Sequence, residues 1–352
     1  MKKKFNLSLD ATPEPKPDIE ISDTGTLRMD DVLINANGVR FVNNAPSTTQ
    51  SAAHDIHSEF QSSVRLADLT VLQSLGRGAQ GVVRLAKHNT TGTFYALKEL
   101  RCNLTDKTVR KQFLRELHII SEISSPFIVP CYGVFFVEHA INIVTEFMDA
   151  GSLENITVGS GGALRHLSRS LLSALSHLEK YRLLHRDIKP TNLLASRDGS
   201  VKLADFGLTV KTRDGIASIA SLGVGYNPGG YGGDTFVGSL AYMSPERITD
   251  GRCTFASDVW SAGLTLLEMA IGKYPYENTN QSKMIEMMDA IIAGPPSFSF
   301  EDTKLVDFLN RCFASHSQRC SATELLKHPW ITAGDPARDK QDMIDFLSRV
   351  KR

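Results

Sequence analysis

Cysteine is scarce in this chain. Cys102, Cys131, Cys253, Cys312 and Cys320 lie far apart, with no C-x-x-C pair and no histidine cluster beside them. That pattern excludes a zinc ribbon and a disulfide framework, and it points to a reducing compartment, with the cytoplasm as the expected one. Net charge is missing as well. The 39 Lys and Arg residues balance 39 Asp and Glu, so no whole-molecule field draws the chain to nucleic acid or to an anionic membrane. No apolar run approaches the length of a bilayer crossing, and the first residues lack the apolar centre of a secretory signal. No internal repeat is visible. What is present is a chain of 352 residues with ordinary hydrophobic content, long enough for one large two-lobed unit.

Residues 1–66 read as flexible. The stretches "ATPEPKPDIE" and "NNAPSTTQSAAHD" have linker composition. Between them, "DVLINANGVRF" sets Asn37-Gly38 between short apolar arms, a hairpin signal. Residues 67–330 read as the folded body and 331–352 as a tail. "LTVLQSL", "GVVRLAK" and "TFYALKEL" read as three strands. A helix follows over "DKTVRKQFLRELHIISEI", with Val109, Phe113, Leu117 and Ile120 at helical spacing and Asp106 as its cap. "YGVFFV" and "INIVTEF" add a strand pair. Beyond these, Leu164, Leu167, Leu171, Leu175 and Leu178 line one face of a long helix, and "SDVWSAGLTLLEMAIG" is apolar nearly all round and so buried. Strands first and helices second predict an α+β fold, with a cleft between a small antiparallel-sheet lobe and a mainly helical one. The last stretch, "PARDKQDMIDFLSRV", is an amphipathic helix with Met343, Ile344, Leu347 and Val350 on one side, expected to pack on the helical lobe; binding a partner protein is the other reading.

Four motifs carry chemistry. "GRGAQGVV" spaces Gly76, Gly78 and Gly81 between two strands, which disfavours a dinucleotide-binding turn. Such a hairpin is either an ordinary turn or a backbone flap over phosphate oxygens. "YALK" ends on Lys98, an amine able to hold phosphates if a carboxylate fixes it, and Glu116 on the next helix is the candidate. In "LLHRDIKPTNLL", Asp187 can accept the proton of an attacking hydroxyl, Lys189 can offset charge on a transferring phosphoryl, and Asn192 is spaced to bind a metal. In "LADFGL", Asp205 would bind Mg²⁺ bridging ATP phosphates.

In this order the motifs resemble a protein kinase catalytic domain over residues 69–330. The resemblance implies ATP in the cleft under Leu75, Gly76, Arg77, Gly78, Ala79, Gln80, Gly81, Val82 and Val83. It implies Ala96 and Lys98 on the cleft wall, Thr145 as gatekeeper, and a hinge from Glu146 to Met148. Asp258 would brace the catalytic loop and Glu246 would pair with Arg319, whereas Trp260 reads as core. Within the kinases, "TEFMDAGSL", "HRDIKPTNLL" and "DTFVGSLAYMSPERI" resemble the MAP kinase kinases of the sterile-type group. That family phosphorylates a Thr and a Tyr in the activation segment of a MAP kinase and is itself switched on by an upstream kinase.

The narrower resemblance gives two further expectations. "MKKKFNLSL" matches a docking tail, in which Lys2, Lys3 and Lys4 steer toward an acidic groove and Phe5, Leu7 and Leu9 anchor in apolar pockets. "GVGYNPGGYGGDTFVGS", between Asp205 and Glu246, falls where kinases keep the activation segment, and its glycines suit a segment that orders when switched on. Thr235 matches a phosphorylated position, and Arg186 would hold its phosphate. Ser239 matches a substrate-loop hydroxyl. The segment departs from the family in being longer, and Tyr231 stands at the earlier phosphorylation position, so an upstream kinase would modify Thr235 alone or use Ser218 or Ser221 in the insert. Another sterile-type kinase and a catalytically silent scaffold are the alternatives at this stage.

Overall fold

The computed structural model describes residues 19–42, 59–60, 62–78, 81–101, 103–212, 215–218, 240–276 and 284–350. In the first of these, alternating burial extends the expected hairpin into a sheet within a region otherwise read as flexible. Strands β1 (Ile19–Ile21), β2 (Leu27–Met29), β3 (Val32–Asn35), β4 (Gly38–Phe41) and β5 (Glu59–Phe60) pair antiparallel in chain order. Leu27, Met29, Val32, Ile34 and Val39 are buried while Arg28 and Arg40 are exposed, the period-2 signature of a sheet with one covered face. The reading of 1–66 as a flexible region is therefore corrected for residues 19–42 and 59–60. The predicted hairpin is present with a different register. Asn35 pairs with Gly38, so the two-residue turn is Ala36-Asn37, closed by the Asn37 amide donating to Asn35 Oδ1 at 2.8 Å.

The second sheet has the order β6 (Leu69–Gly78), β7 (Gly81–His88), β8 (Phe94–Leu100), β10 (Ala140–Glu146), β9 (Cys131–Val137), all antiparallel. Helix α1 (Lys107–Glu122) enters between β8 and β9, and Asp106 caps it by accepting the Thr108 and Val109 amides at 2.7 and 3.3 Å. One face of this sheet buries Ala86, Leu97, Phe135 and Val144. On the other, Val134, Phe136, Ile141 and Ile143 form a single apolar cluster with Phe113, Leu114 and Leu117 of α1 and with the five buried residues of the first sheet. Each such side chain contributes about 1.5–3 kcal/mol when fully buried, so the first sheet is firmly attached. Its strands β3 and β4 lie beside β9, the edge strand that would otherwise stand open.

The helical lobe is built from α2 (Gly162–Lys180), α3 (Pro245–Thr249), α4 (Phe255–Ile271), α5 (Met284–Ala293), α6 (Thr303–Cys312), α7 (Ala322–Leu325), α8 (Pro329–Thr332) and α9 (Pro336–Arg349). Helix α4 is buried nearly all round, Trp260 included, as its composition predicts. It starts in a Thr254/Ser257 capping box and stops at Gly272, whose φ of 80° suits only a residue without a side chain. Helix α9 buries Met343 and Leu347 and packs on α2, the packing expected of the tail. The sequence reading missed Asp339, buried on the same helix, which receives Arg165 at 2.8 Å and Arg169 at 3.0 Å from α2.

Candidate active site

The wall of the cleft follows from strand register. Val83 lies opposite Lys98, and Ala96 opposite Thr145, so these four residues share one face of the sheet. Thr145 Oγ1 donates to the Ala96 carbonyl at 3.5 Å. In the flap, a Cβ on Gly81 would come within 2.0 Å of the Glu99 carbonyl oxygen, so only glycine fits there. Gly76 has open space around it, and Leu75 and Arg77 are exposed. Val82 is half-buried, and Ala79 and Gln80 lie outside the described residues. At the hinge, Glu146 forms an ion pair with Lys202, and the buried Met148 accepts the Gly151 amide at 2.9 Å through its carbonyl.

The catalytic loop is fixed from below by α4. Asp258, buried in its first turn, accepts the His185 amide at 2.8 Å and the Arg186 amide at 2.9 Å. Burial pushes the pKa of Asp258 up, and nearby His185 opposes the rise. Held in this way, Asp187 points its Oδ2 at Lys189 Nζ, 2.9 Å away. Asn192 Nδ2 donates to the same Oδ2 at 2.9 Å and to the Asp187 carbonyl at 2.7 Å. Both contacts use the nitrogen, which leaves the amide oxygen as the atom suited to a cation.

The segment bearing Asp205 follows the strand Val201–Leu203 and is tied to that loop by the Ala204 amide, which donates to the Asn192 carbonyl at 2.9 Å. Asp205 takes a φ of 64°, rare for a residue with a side chain, and accepts the Gly207 amide at 3.2 Å. Burial pushes its carboxyl up, yet the charge of Lys98, the Gly207 amide, His185 and Lys189 hold it below the usual carboxylate range. Glu116 behaves oppositely. Burial raises it to about 7, with Asp205 adding to the rise and Lys98 opposing it. The expected Lys98–Glu116 pair is thus brought to one place without closing: among the described residues no ion pair within 4.0 Å joins them. The amine's field bears on Asp205 as well as on Glu116, of which Glu116 is half-buried and Asp205 exposed.

Two contributors escaped the sequence reading. Gln112 stands one turn before Glu116 on α1, and its Nε2 donates to the Gly207 carbonyl at 2.8 Å, tying the helix to the loop that carries Asp205. The i, i+4 spacing from Glu116 was the available signal. Arg247, just after Glu246, donates to the Arg186 carbonyl at 3.0 Å. Glu246 itself meets Arg319 through both oxygens, at 2.7 and 3.2 Å, as expected, and accepts Ser257 Oγ at 2.9 Å. Arg186 is buried, and among the described residues none of its three guanidinium nitrogens has a hydrogen-bond partner. A buried guanidinium left in that state calls for an anion. Ser218 ends a short strand, Ile216–Ser218, paired with Arg252–Thr254. Ser221, Tyr231, Thr235 and Ser239 lie outside the described residues, as do Lys2, Lys3, Lys4, Phe5, Leu7 and Leu9.

A two-lobed fold with these groups at the junction defines a protein kinase, and the protein kinase domain model matches residues 69–331, about three quarters of the chain. The sequence is 35% identical over 326 residues to "Mitogen-activated protein kinase kinase 1c" of Physcomitrium patens, covering 88% of each chain. It is 34% identical over 346 residues to "Mitogen-activated protein kinase kinase SIPKK" of Nicotiana tabacum, covering 94% of this chain and 91% of that one. It is also 34% identical over 332 residues to "Mitogen-activated protein kinase kinase 2" of Arabidopsis thaliana, covering 90% and 85%. The chain belongs to the MAP kinase kinase family of ATP-dependent protein kinases. No helix among the described residues is long and apolar enough to cross a membrane.

Proposed function

We propose that this MAP kinase kinase transfers the γ-phosphoryl group of ATP to a Thr and a Tyr hydroxyl in the activation segment of a MAP kinase in the cytoplasm. The observation that carries the reading is the convergence of Asp187, Lys189 and Asn192 with Asp205, Lys98 and Glu116 at the lobe junction. The substrate hydroxyl gives its proton to the Asp187 carboxylate as its oxygen bonds to the γ-phosphorus, and the bond to the β-phosphate oxygen breaks, releasing ADP. Lys189 orients Asp187 and offsets charge on the equatorial oxygens. Lys98 holds the remaining phosphates, and Gly76, Gly78 and Gly81 let the flap backbone approach them.

The residues fit Mg²⁺. Asp205 is kept ionised, and Asn192 presents an amide oxygen. Among the described residues no three His, Cys, Asp or Glu gather into a metal cage, so Asp205 and Asn192 would hold the ion together with phosphate and water oxygens. When bound it neutralises charge between the β- and γ-phosphates. These same features disfavour a silent scaffold.

The switch we assign is phosphorylation of Thr235 by an upstream kinase, with Arg186 as the receptor of the phosphate. An unpaired, buried guanidinium beside Arg247 supports this. Thr235→Ala is expected to lower activity after treatment with an upstream kinase by about 10–100-fold, the scale of a few kcal/mol of coupling. Assay of MAP kinase phosphorylation checks it, and full activation of the variant refutes the switch. For the docking tail, replacing Lys2, Lys3 and Lys4 with Glu is expected to weaken MAP kinase binding by about tenfold at low salt, less so as salt rises. Titration calorimetry at two ionic strengths reads this; unchanged affinity discards the docking role. Mass spectrometry of an inactive MAP kinase after incubation with the activated enzyme tests dual specificity directly.

A further inference from the structure

We infer that the amino-terminal sheet is a clamp on α1 that keeps Glu116 in the cleft, with Phe41 and Asp31 as positioning residues. The inference rests on the reading of Glu116 as the partner of Lys98. Helix α1 is gripped on two sides. Toward the cleft it presents Glu116 and also Gln112, whose amide donates to the Gly207 carbonyl at 2.8 Å. Elsewhere, Phe113, Leu114 and Leu117 share one apolar cluster with Leu27, Met29, Val32, Ile34 and Val39 of the sheet. At the rim of that contact the Phe41 ring lies 4.6 Å from the His118 ring, and Asp31 Oδ2 stands 3.4 Å from His118 Nε2. His118 is in turn fixed to its own helix, with Nδ1 2.8 Å from the Leu114 carbonyl.

These contacts bracket Glu116 within two residues. The carboxyl end of α1 is anchored separately, since Ile119 belongs to the core of the helical lobe together with Phe206. Remove the sheet, and the apolar side of α1 and the edge strand β9 lose their cover. The helix would then be free to pivot about its anchored end, carrying Glu116 away from Lys98. The sheet is therefore a part of the catalytic unit supplied by the chain itself, placed where it presses on α1 without touching the cleft.

The test uses the full chain after activation. Ile34→Asp breaks the buried face, and the double variant Phe41→Ala with Asp31→Asn loosens only the rim. We expect both to speed amide hydrogen exchange across residues 107–122 by about tenfold, with α4 unchanged. We expect kcat to fall by about tenfold in the otherwise unaltered protein, with no further fall in a Glu116→Gln background, because both changes remove the same contribution. Equal losses in the two backgrounds, unaltered exchange in α1, or a gain in activity would overturn the clamp. Should Ile34→Asp raise exchange in α4 as well, it has failed to fold, and the rim variant decides. Should Glu116→Gln alone keep full activity, the role of Glu116 falls, while the exchange data still decide whether the sheet holds the helix.

Discussion

Replacing Asp187 with Asn lowers kcat for MAP kinase phosphorylation by on the order of a thousandfold, while the ATP KM and the thermal midpoint hardly move. The side chain keeps its shape, so Asn192 still finds an acceptor oxygen near the position of Oδ2, and the amides of His185 and Arg186 remain on Asp258. Two properties are lost. The amide cannot take the proton of the attacking hydroxyl, a contribution of about 10²–10⁴ in rate for a positioned general base. It also removes the charge that orients Lys189 from 2.9 Å. ATP affinity is spared because the nucleotide phosphates are assigned to Lys98 and the flap. Steady-state kinetics with an inactive MAP kinase, alongside a thermal melt, read both halves. A variant with near-normal kcat would remove Asp187 from the reaction.

Arg319→Met destabilises the protein by about 3–5 kcal/mol, the cost of leaving one member of a buried ion pair alone. Arg319 has almost no solvent exposure and donates to both oxygens of Glu246 and to the Ala256 carbonyl at 2.8 Å. It also lies over the Trp260 ring, 5.1 Å from the centroid, so methionine keeps much of the packing and loses the charge with its hydrogen bonds. Burial pushes the Glu246 carboxyl up, but Arg319 outweighs it and holds Glu246 down to about 2, against an ordinary value of 4.5. A depression of that size corresponds to about 3 kcal/mol. Because the folded value lies below the unfolded one, this stability is fully present above about pH 4.5 and fades as pH falls toward 2. Urea titrations at pH 7 and pH 3 check it. The variant should lose most at pH 7, and the gap from the unaltered protein should narrow at pH 3; a constant gap would mean that packing, not charge, sets the loss.

Much of the site was legible because its chemistry is local. Asp187, Lys189 and Asn192 fall within six residues of chain, and their mutual hydrogen bonds follow from that spacing. The glycine at 81 is dictated by backbone contact with the neighbouring strand, a demand that only one residue type meets. The helical period of residues 107–122 was equally plain, down to its Asp106 cap. The contacts that escaped join positions remote in sequence, where spacing can at most place one partner on a helix face and never names the other. Gln112 meets Gly207 across 95 residues, and Asp339 meets Arg165 across 174. Arg247 reaches back to Arg186 across 61. Of the amino-terminal strands only the β3–β4 hairpin carried a signal, and the sheet around it did not, for another reason. They run three or four residues each between linker-like stretches, too short to stand without a partner surface, and that surface is contributed by α1 and β9.

Residue order alone named the candidate reacting groups and the succession of the lobes, because residue type fixes which atom can take a proton, carry a positive charge or bind a cation. Only the tertiary structure decided the electrostatic state of those groups. Glu116 and Asp205 are both carboxylates, yet one is pushed up to about 7 and the other held below the usual range. The difference lies in which charges and amides the fold places around each.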